Sequence, residues 1–391
     1  MKSFVTHSLT NPLLFVNKSR GAKWQSIVLA LLITVFAAFL LTNYHWQHAA
    51  LAFVAVALGV VFYRCQFGFA STWRALILRG DGSGLRAQML WIILAALPFA
   101  LLTGAGDVLP AQATANVRPL TMAIVAGAFI FGIGMQLGGA CTSGSIVGVG
   151  SGNGVPVLSL IGFVVGALWA AVHIEFWNEL PAYAAFSFYQ EWGLGGAVVL
   201  MLMAAAVALA TRWLPQNTPV ESSRSLSLYR GAIYISLLSV LILILGKQPW
   251  GLINGFTIAG GKALVLAGHE DIIFWEFWTR YANGEEVLEQ GWFAGSQMVT
   301  TVAMLLGVAL AAAFAGELKS PLRRYEPKRL LLSIAGGVMM GYGAQISYGC
   351  NIGSYVSALS SGSAHGWLWL LAAFGGAAVG VAVRKVTGLE K

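Results

Sequence analysis

Charge is scarce in this chain. Lys, Arg, Asp and Glu make up 10% of its 391 residues, where a soluble globular domain carries about 25%. A chain this poor in charge cannot cover its surface in water, so lipid must solvate most of it. Cysteine is scarcer still, with three residues, two of them inside apolar Gly-rich segments and none in a C-x-x-C pair. That excludes a disulfide framework and a thiolate metal centre, which would want three or more clustered soft ligands. A phosphate loop is missing as well: Gly80-Asp81-Gly82-Ser83-Gly84 lacks the Lys-Ser/Thr that would hold phosphates and reads as a turn between helices. No Cys–His–Asp constellation surrounds any thiol. His365 is the nearest histidine and is expected at the membrane interface. Neither an enzyme nor a cofactor is expected. No acidic residue stands inside an apolar run as a proton site, because Asp107, Glu175 and Glu179 all fall in polar connections.

Apolar sequence fills the space these absences leave. The chain is 58% hydrophobic, with mean hydropathy +0.74 and 47 glycines. A spanning helix needs about 20 mostly apolar residues, and runs of that kind lie near 24–42, 49–63, 88–103, 120–137, 155–172, 193–211, 231–246, 292–315, 330–345 and 366–383. Two shorter pieces, Phe67–Leu78 and Leu252–Leu266, are re-entrant or amphipathic candidates. The fold class is an all-α polytopic membrane protein. Residues 1–23 form a basic tail, 24–211 a first half, 212–230 a polar linker with Pro215 and Pro219, and 231–391 a second half. The run after Lys18, Arg20 and Lys23 has no small-residue cleavage site and reads as a retained first helix.

The net charge of +8 belongs to short connections beside apolar runs, which is the positive-inside pattern rather than a nucleic-acid surface. Segments 1–23, 64–86, 212–230 and 316–329 (with Lys319, Arg323, Arg324, Lys328 and Arg329), and the tail with Arg384, Lys385 and Lys391, are expected in the cytoplasm with both termini. Segments 104–117, 173–192 and 268–291 are expected outside. His269-Glu270-Asp271 there reads as a solvated loop, followed by an amphipathic interfacial stretch carrying Trp275, Phe277, Trp278 and Tyr281. The path gives the two halves opposite topology. Inverted repeats of this kind are typical of transporters, whose sites lie near the midplane.

One motif occurs twice. Gly132-Ile133-Gly134-Met135-Gln136-Leu137-Gly138-Gly139-Ala140-Cys141-Thr142-Ser143-Gly144-Ser145 and Gly341-Tyr342-Gly343-Ala344-Gln345-Ile346-Ser347-Tyr348-Gly349-Cys350-Asn351-Ile352-Gly353-Ser354 both spell G-x-G-x-Q-x4-C-x2-G-S, 209 positions apart. At the same offset Gly127 matches Gly336, and Gly166 matches Gly375. Glycines such as Gly139 and Gly349 interrupt the helix. Thr142, Ser143, Ser145 and Asn351 are expected to cap the helices that restart. A helix broken inside the membrane aims N–H groups and the positive end of its dipole at what sits there, which suits an anion. Gln136 and Gln345 face the bundle interior, bonding a neighbouring helix or a permeant. The thiols of Cys141 and Cys350 would be small packing groups or ligands at a shared constriction.

At these residues the chain resembles the YeeE/YedE family of bacterial inner-membrane sulfur-compound transporters. The resemblance runs over nearly the whole chain, with Gly349-Cys350-Asn351-Ile352-Gly353 the closer match and Ala140 standing where the first motif has glycine. It implies uptake of thiosulfate, or a related sulfur or selenium oxyanion, through an hourglass-shaped inverted repeat in the inner membrane, with Cys141 and Cys350 holding the terminal sulfur by S–H···S contacts. Members carry a third cysteine in the first short helix. Here Gly68 occupies that position, and Cys65, one helical turn earlier, is the candidate substitute. The resulting site comprises Cys141, Cys350, Cys65, Gly139, Ser143, Gly349, Asn351, Gln136 and Gln345, with hydroxyls from Ser145 and Ser354. The alternatives are a permease for sulfite, sulfide or a selenium compound, or a membrane sulfurtransferase subunit. Proton coupling, passive entry and trapping by a cytoplasmic sulfur carrier or sulfurtransferase all stand as ways to drive uptake.

Overall fold

The computed structural model describes residues 20–215, 222–280, 284–318 and 325–390. Most of the basic tail, the central linker stretch containing Pro219, and Tyr281, Lys319, Arg323, Arg324 and Lys391 lie outside the described residues. The helices are α1 (Arg20–Asn43), α2 (Trp46–Cys65), α3 (Phe69–Arg79), α4 (Ser83–Leu102), α5 (Met122–Gly138), α6 (Thr142–Gly150), α7 (Val155–Val172), α8 (Ile174–Asn178) and α9 (Phe188–Ala210). After the linker come α10 (Ser222–Gly246), α11 (Ile253–Leu266), α12 (Glu276–Arg280), α13 (Gly284–Glu289), α14 (Ser296–Ala315), α15 (Pro327–Ile346), α16 (Ala358–Ser360) and α17 (His365–Val386). A π-helical turn, Asn351–Ser357, connects α15 to α16. The one small sheet pairs β1 (Leu120–Thr121) with β2 (Ala182–Tyr183).

Among the described residues nine helical stretches are long and apolar enough to cross a membrane. A tenth arises if α15 and the segment Asn351–Ser360, bent by 43°, count as one broken span. The protein is an all-α, multi-pass membrane protein. Helices dominate because backbone N–H and C=O groups in lipid must be satisfied within their own segment. The apolar runs map onto the helices closely, although α10 begins at Ser222 inside the expected linker. The short pieces form α3, 11 residues, and α11, 14 residues. At 1.5 Å per residue neither crosses a bilayer alone.

Four helices form the centre. α15 lies between α5 and α7, and α17 runs along α5. The approach of α5 to α15 is set by glycine. A Cβ on Gly127 would stand 2.6 Å from the Gly343 carbonyl, and one on Gly134 would stand 2.6 Å from the Gly336 carbonyl. Because 127 meets 343 while 134 meets 336, the two helices run antiparallel. Between α7 and α15, Gly166 approaches Val338, and between α17 and α5, Gly375 approaches Phe129. Each of these contacts has its counterpart at an offset of 209 positions. Small residues allow this because helix association in lipid depends on close van der Waals contact.

His269, Glu270 and Asp271 are exposed, as a solvated loop requires, while Phe277 and Trp278 are buried with Ile272, Leu288 and Ala171 in a small cluster of their own. The two aromatic rings pack inward because α12 folds onto α7, α8 and α13.

Candidate functional site

The two motif cysteines sit at helix starts. α5 ends where Gly139 takes a left-handed conformation, φ 83°, and Cys141 then becomes the N-terminal cap of α6. Its sulfur accepts the Gly144 N–H at 3.4 Å and lies 3.3 Å from Ser143 Oγ. Cys350 holds the equivalent place before the π-helical turn, without a side-chain cap bond of its own. Capping by Thr142, Ser143, Ser145 and Asn351 was the expectation, and the structure corrects it. The chain restarts its helix one residue earlier, so sulfur occupies the position that an oxygen usually fills.

Both cysteines are 1% exposed. Cys350 lies against Thr142 and within electrostatic reach of Cys141. Around them is an unusual supply of unused hydrogen-bonding capacity. Among the described residues, Ser145 Oγ, Gln136 Oε1 and both side-chain polar atoms of Asn351 are buried without a partner. A buried polar group without a partner costs about 1–3 kcal/mol, and four such atoms on two motifs could be met by a ligand. Asn351 supplies a donor and an acceptor, the hydroxyls supply either, and the thiols are soft weak donors. The arrangement can hold a small anion with a polarisable atom and gives it no full positive charge.

The glutamines brace the site. Gln136 Nε2 donates to the Ala70 carbonyl of α3 at 3.2 Å, and Gln345 Oε1 accepts from Thr257 Oγ1 of α11 at 2.8 Å. Each motif thus ties its long helix to a short one. Gly349 lets the π-helical turn close, since a Cβ there would stand 2.7 Å from the Ser354 N–H nitrogen. Ser354 is not free for a ligand, because its hydroxyl donates to the Ser347 carbonyl at 2.7 Å.

Cys65 is elsewhere. It closes α2, is half-buried, and its sulfur packs towards Gly231 of α10, while its carbonyl accepts from Ser227. Among the described residues no contact joins it to Cys141 or Cys350. The left-handed Gln66, φ 49°, ends α2 there and separates Cys65 from the register of α3. His365 is fully buried, and its Nδ1 lies 2.6 Å from Ser363 Oγ.

Sequence reasoning missed Arg118. It sits just past the stretch taken as a neutral outer connection, 5.6 Å over the Tyr348 ring and close enough to His365 to act on it electrostatically. Tyr348 itself has φ 62°, a conformation uncommon for a residue with a Cβ, two residues before Cys350. Also missed was an aromatic wall. Tyr355 stacks on Trp369 at 5° between planes, and Tyr355 OH and Trp73 Nε1 both donate to Gln88 Oε1 at 3.2 and 3.0 Å. The spacing of Arg118 before the start of α5 was the one available signal for that residue.

A multi-pass helical protein with a buried, uncharged, thiol-bearing polar site between broken helices belongs to the class of membrane transporters. A family model described as sulphur transport matches residues 64–379, and the chain belongs to that family of sulfur-compound transporters. It is 26% identical over 349 residues to the thiosulfate transporter TsuA of Spirochaeta thermophila, covering 81% of this chain and 92% of that protein. It is 28% identical over 123 residues to the probable transporter YedE of Salmonella typhimurium, covering 32% of this chain and 29% of that one.

Proposed function

We propose that this chain is a permease for thiosulfate, carried through the bacterial inner membrane past Cys141 and Cys350. The observation that carries the reading is a pair of buried thiols within electrostatic reach of each other, accompanied by four unpartnered polar atoms of the duplicated motif. In this reading the terminal sulfur of thiosulfate meets the two S–H groups, and the sulfonate oxygens meet Asn351 Nδ2 and the Thr142 and Ser145 hydroxyls. Partial compensation of a dianion is what conduction requires, since a site with full charges would trap it. The antiparallel contact of α5 with α15, with contacts paired at one offset, supports two halves, 24–211 and 231–391, of inverted topology. The basic connections favour a cytoplasmic position for both termini. The name of the Spirochaeta relative supports thiosulfate as the substrate.

A cell without other sulfate or thiosulfate uptake should grow on thiosulfate when it expresses this chain, and Cys141→Ala or Cys350→Ala should abolish that growth. Full growth of both variants would refute the thiol mechanism. Proteoliposomes should recover intact thiosulfate inside. Recovery of sulfite with a persulfide on the protein would instead support a sulfurtransferase, and stronger competition by selenite or sulfite would move the substrate.

A further inference from the structure

The end of α17 holds a second concentration of charge that the thiol site does not use. Arg74 of α3 and Arg384 of α17 converge on one carboxylate oxygen, Glu390 Oε2, at 3.5 and 3.0 Å. Their side chains are largely out of water, at 17% and 12% exposure. Arg79 adds its positive charge to the field at Arg74, so two guanidinium groups share one carboxylate with a third nearby. Glu390 reaches them because Gly388, φ 72°, reverses the chain after α17. Leu389 and Glu390 N–H then bond back to the Arg384 carbonyl at 2.9 and 3.3 Å.

Two guanidiniums this close and this dry repel each other unless an anion lies between them. The pair is also wired to the thiol motif. Arg384 Nη1 donates to the Gln136 carbonyl at 2.8 Å, and the Gln136 side chain holds the Ala70 carbonyl, one helical turn before Arg74. Arg118 and His365 stand at the other end of α17, whose 22 residues span about 33 Å. The two arginine positions therefore bracket the thiol motifs from opposite ends.

We propose that Arg74 and Arg384 form a binding site for a small oxyanion dianion, and that the Glu390 carboxylate is its built-in competitor. An arriving dianion offers two or more oxygens to two forks of donors, where Glu390 engages both arginines through a single oxygen. Displacement of Glu390 frees the segment after α17, and rebinding of Glu390 expels the anion. The bland alternative is an ion pair that only fastens this segment to the helix. The excess of guanidinium over carboxylate and the tie to Gln136 argue against it. The inference rests on the proposed reading only in taking the dianion to be the permeant.

Inorganic sulfate is a suitable probe, because it shares the oxygens of thiosulfate and lacks the soft sulfur. It is titrated against the detergent-purified full chain, with the sulfate-dependent shift of thermal unfolding as the readout. Glu390→Gln should lower the half-saturating sulfate concentration by about tenfold, because it removes a tethered competitor. Adding Arg74→Gln or Arg384→Gln to that variant should abolish the gain. An unchanged titration in Glu390→Gln, or a gain that survives both arginine substitutions, overturns the proposal. Thiosulfate uptake by unmodified protein in liposomes is measured alongside. Absent uptake with the expected sulfate titration sinks the permease reading and leaves the arginine site standing, and the reverse outcome does the opposite.

Discussion

Gly134→Ala tests the link between helix packing and the thiol pair. A Cβ at this position would meet the Gly336 carbonyl at 2.6 Å, Met339 Cβ at 2.7 Å and Met340 N at 2.8 Å. Ordinary contacts of this kind begin near 3.4 Å. Two of the three obstacles are backbone, so no rotamer change relieves them, and α5 and α15 must separate by roughly 1 Å, which for overpacked cores costs about 1–3 kcal/mol. α5 delivers Cys141 and α15 delivers Cys350, so the same separation moves the thiols apart. Misplacement of reacting groups by that distance commonly costs on the order of tenfold to a hundredfold in rate. The assay pairs thermal unfolding of the purified protein with thiosulfate uptake in liposomes. Gly195→Ala is the control, because a Cβ there meets nothing within 4 Å, and it should leave both readouts unchanged. If Gly134→Ala matched the control in both, the argument that glycine contacts set the thiol geometry would be wrong.

Three further outcomes follow from the site. Asn351→Leu removes two buried polar atoms that have no partner, so thermal stability should hold or rise while uptake falls; loss of stability would show that Asn351 has a structural role. Gln345→Leu removes the α15–α11 hydrogen bond to Thr257 but leaves that hydroxyl bonded to the Ile253 carbonyl, so it should cost only about 0.5–1.5 kcal/mol, measured by unfolding; a larger loss would give Gln345 a further structural role. Arg118→Gln should raise the half-saturating thiosulfate concentration and weaken the dependence of uptake on ionic strength, since steering by a mouth charge is screened by salt; an unchanged salt response would remove Arg118 from the entry path.

Much of this was legible in order along the chain. Apolar run lengths located the spanning helices to within a few residues, the start of α10 apart, because lipid leaves a backbone no partner outside its own segment. The duplicated motif, read with its flanking charges, singled out Cys141, Cys350, Gln136 and Gln345, and all four are buried at or beside helix breaks. The capping roles were misassigned because several capping-type residues in a row leave the restart point undetermined. Only the fold put the cap on sulfur.

Composition and spacing by themselves determined a helical membrane protein with two equivalent thiol motifs, since both are properties of contiguous sequence. The tertiary structure alone decided where each thiol sits. Cys65 turns towards α10 while Cys141 and Cys350 are buried within electrostatic reach of each other, and Arg74, Arg384 and Glu390 converge from segments far apart in the chain. Those juxtapositions depend on how closely α5, α15 and α17 pack, and glycine contacts between helices set that distance.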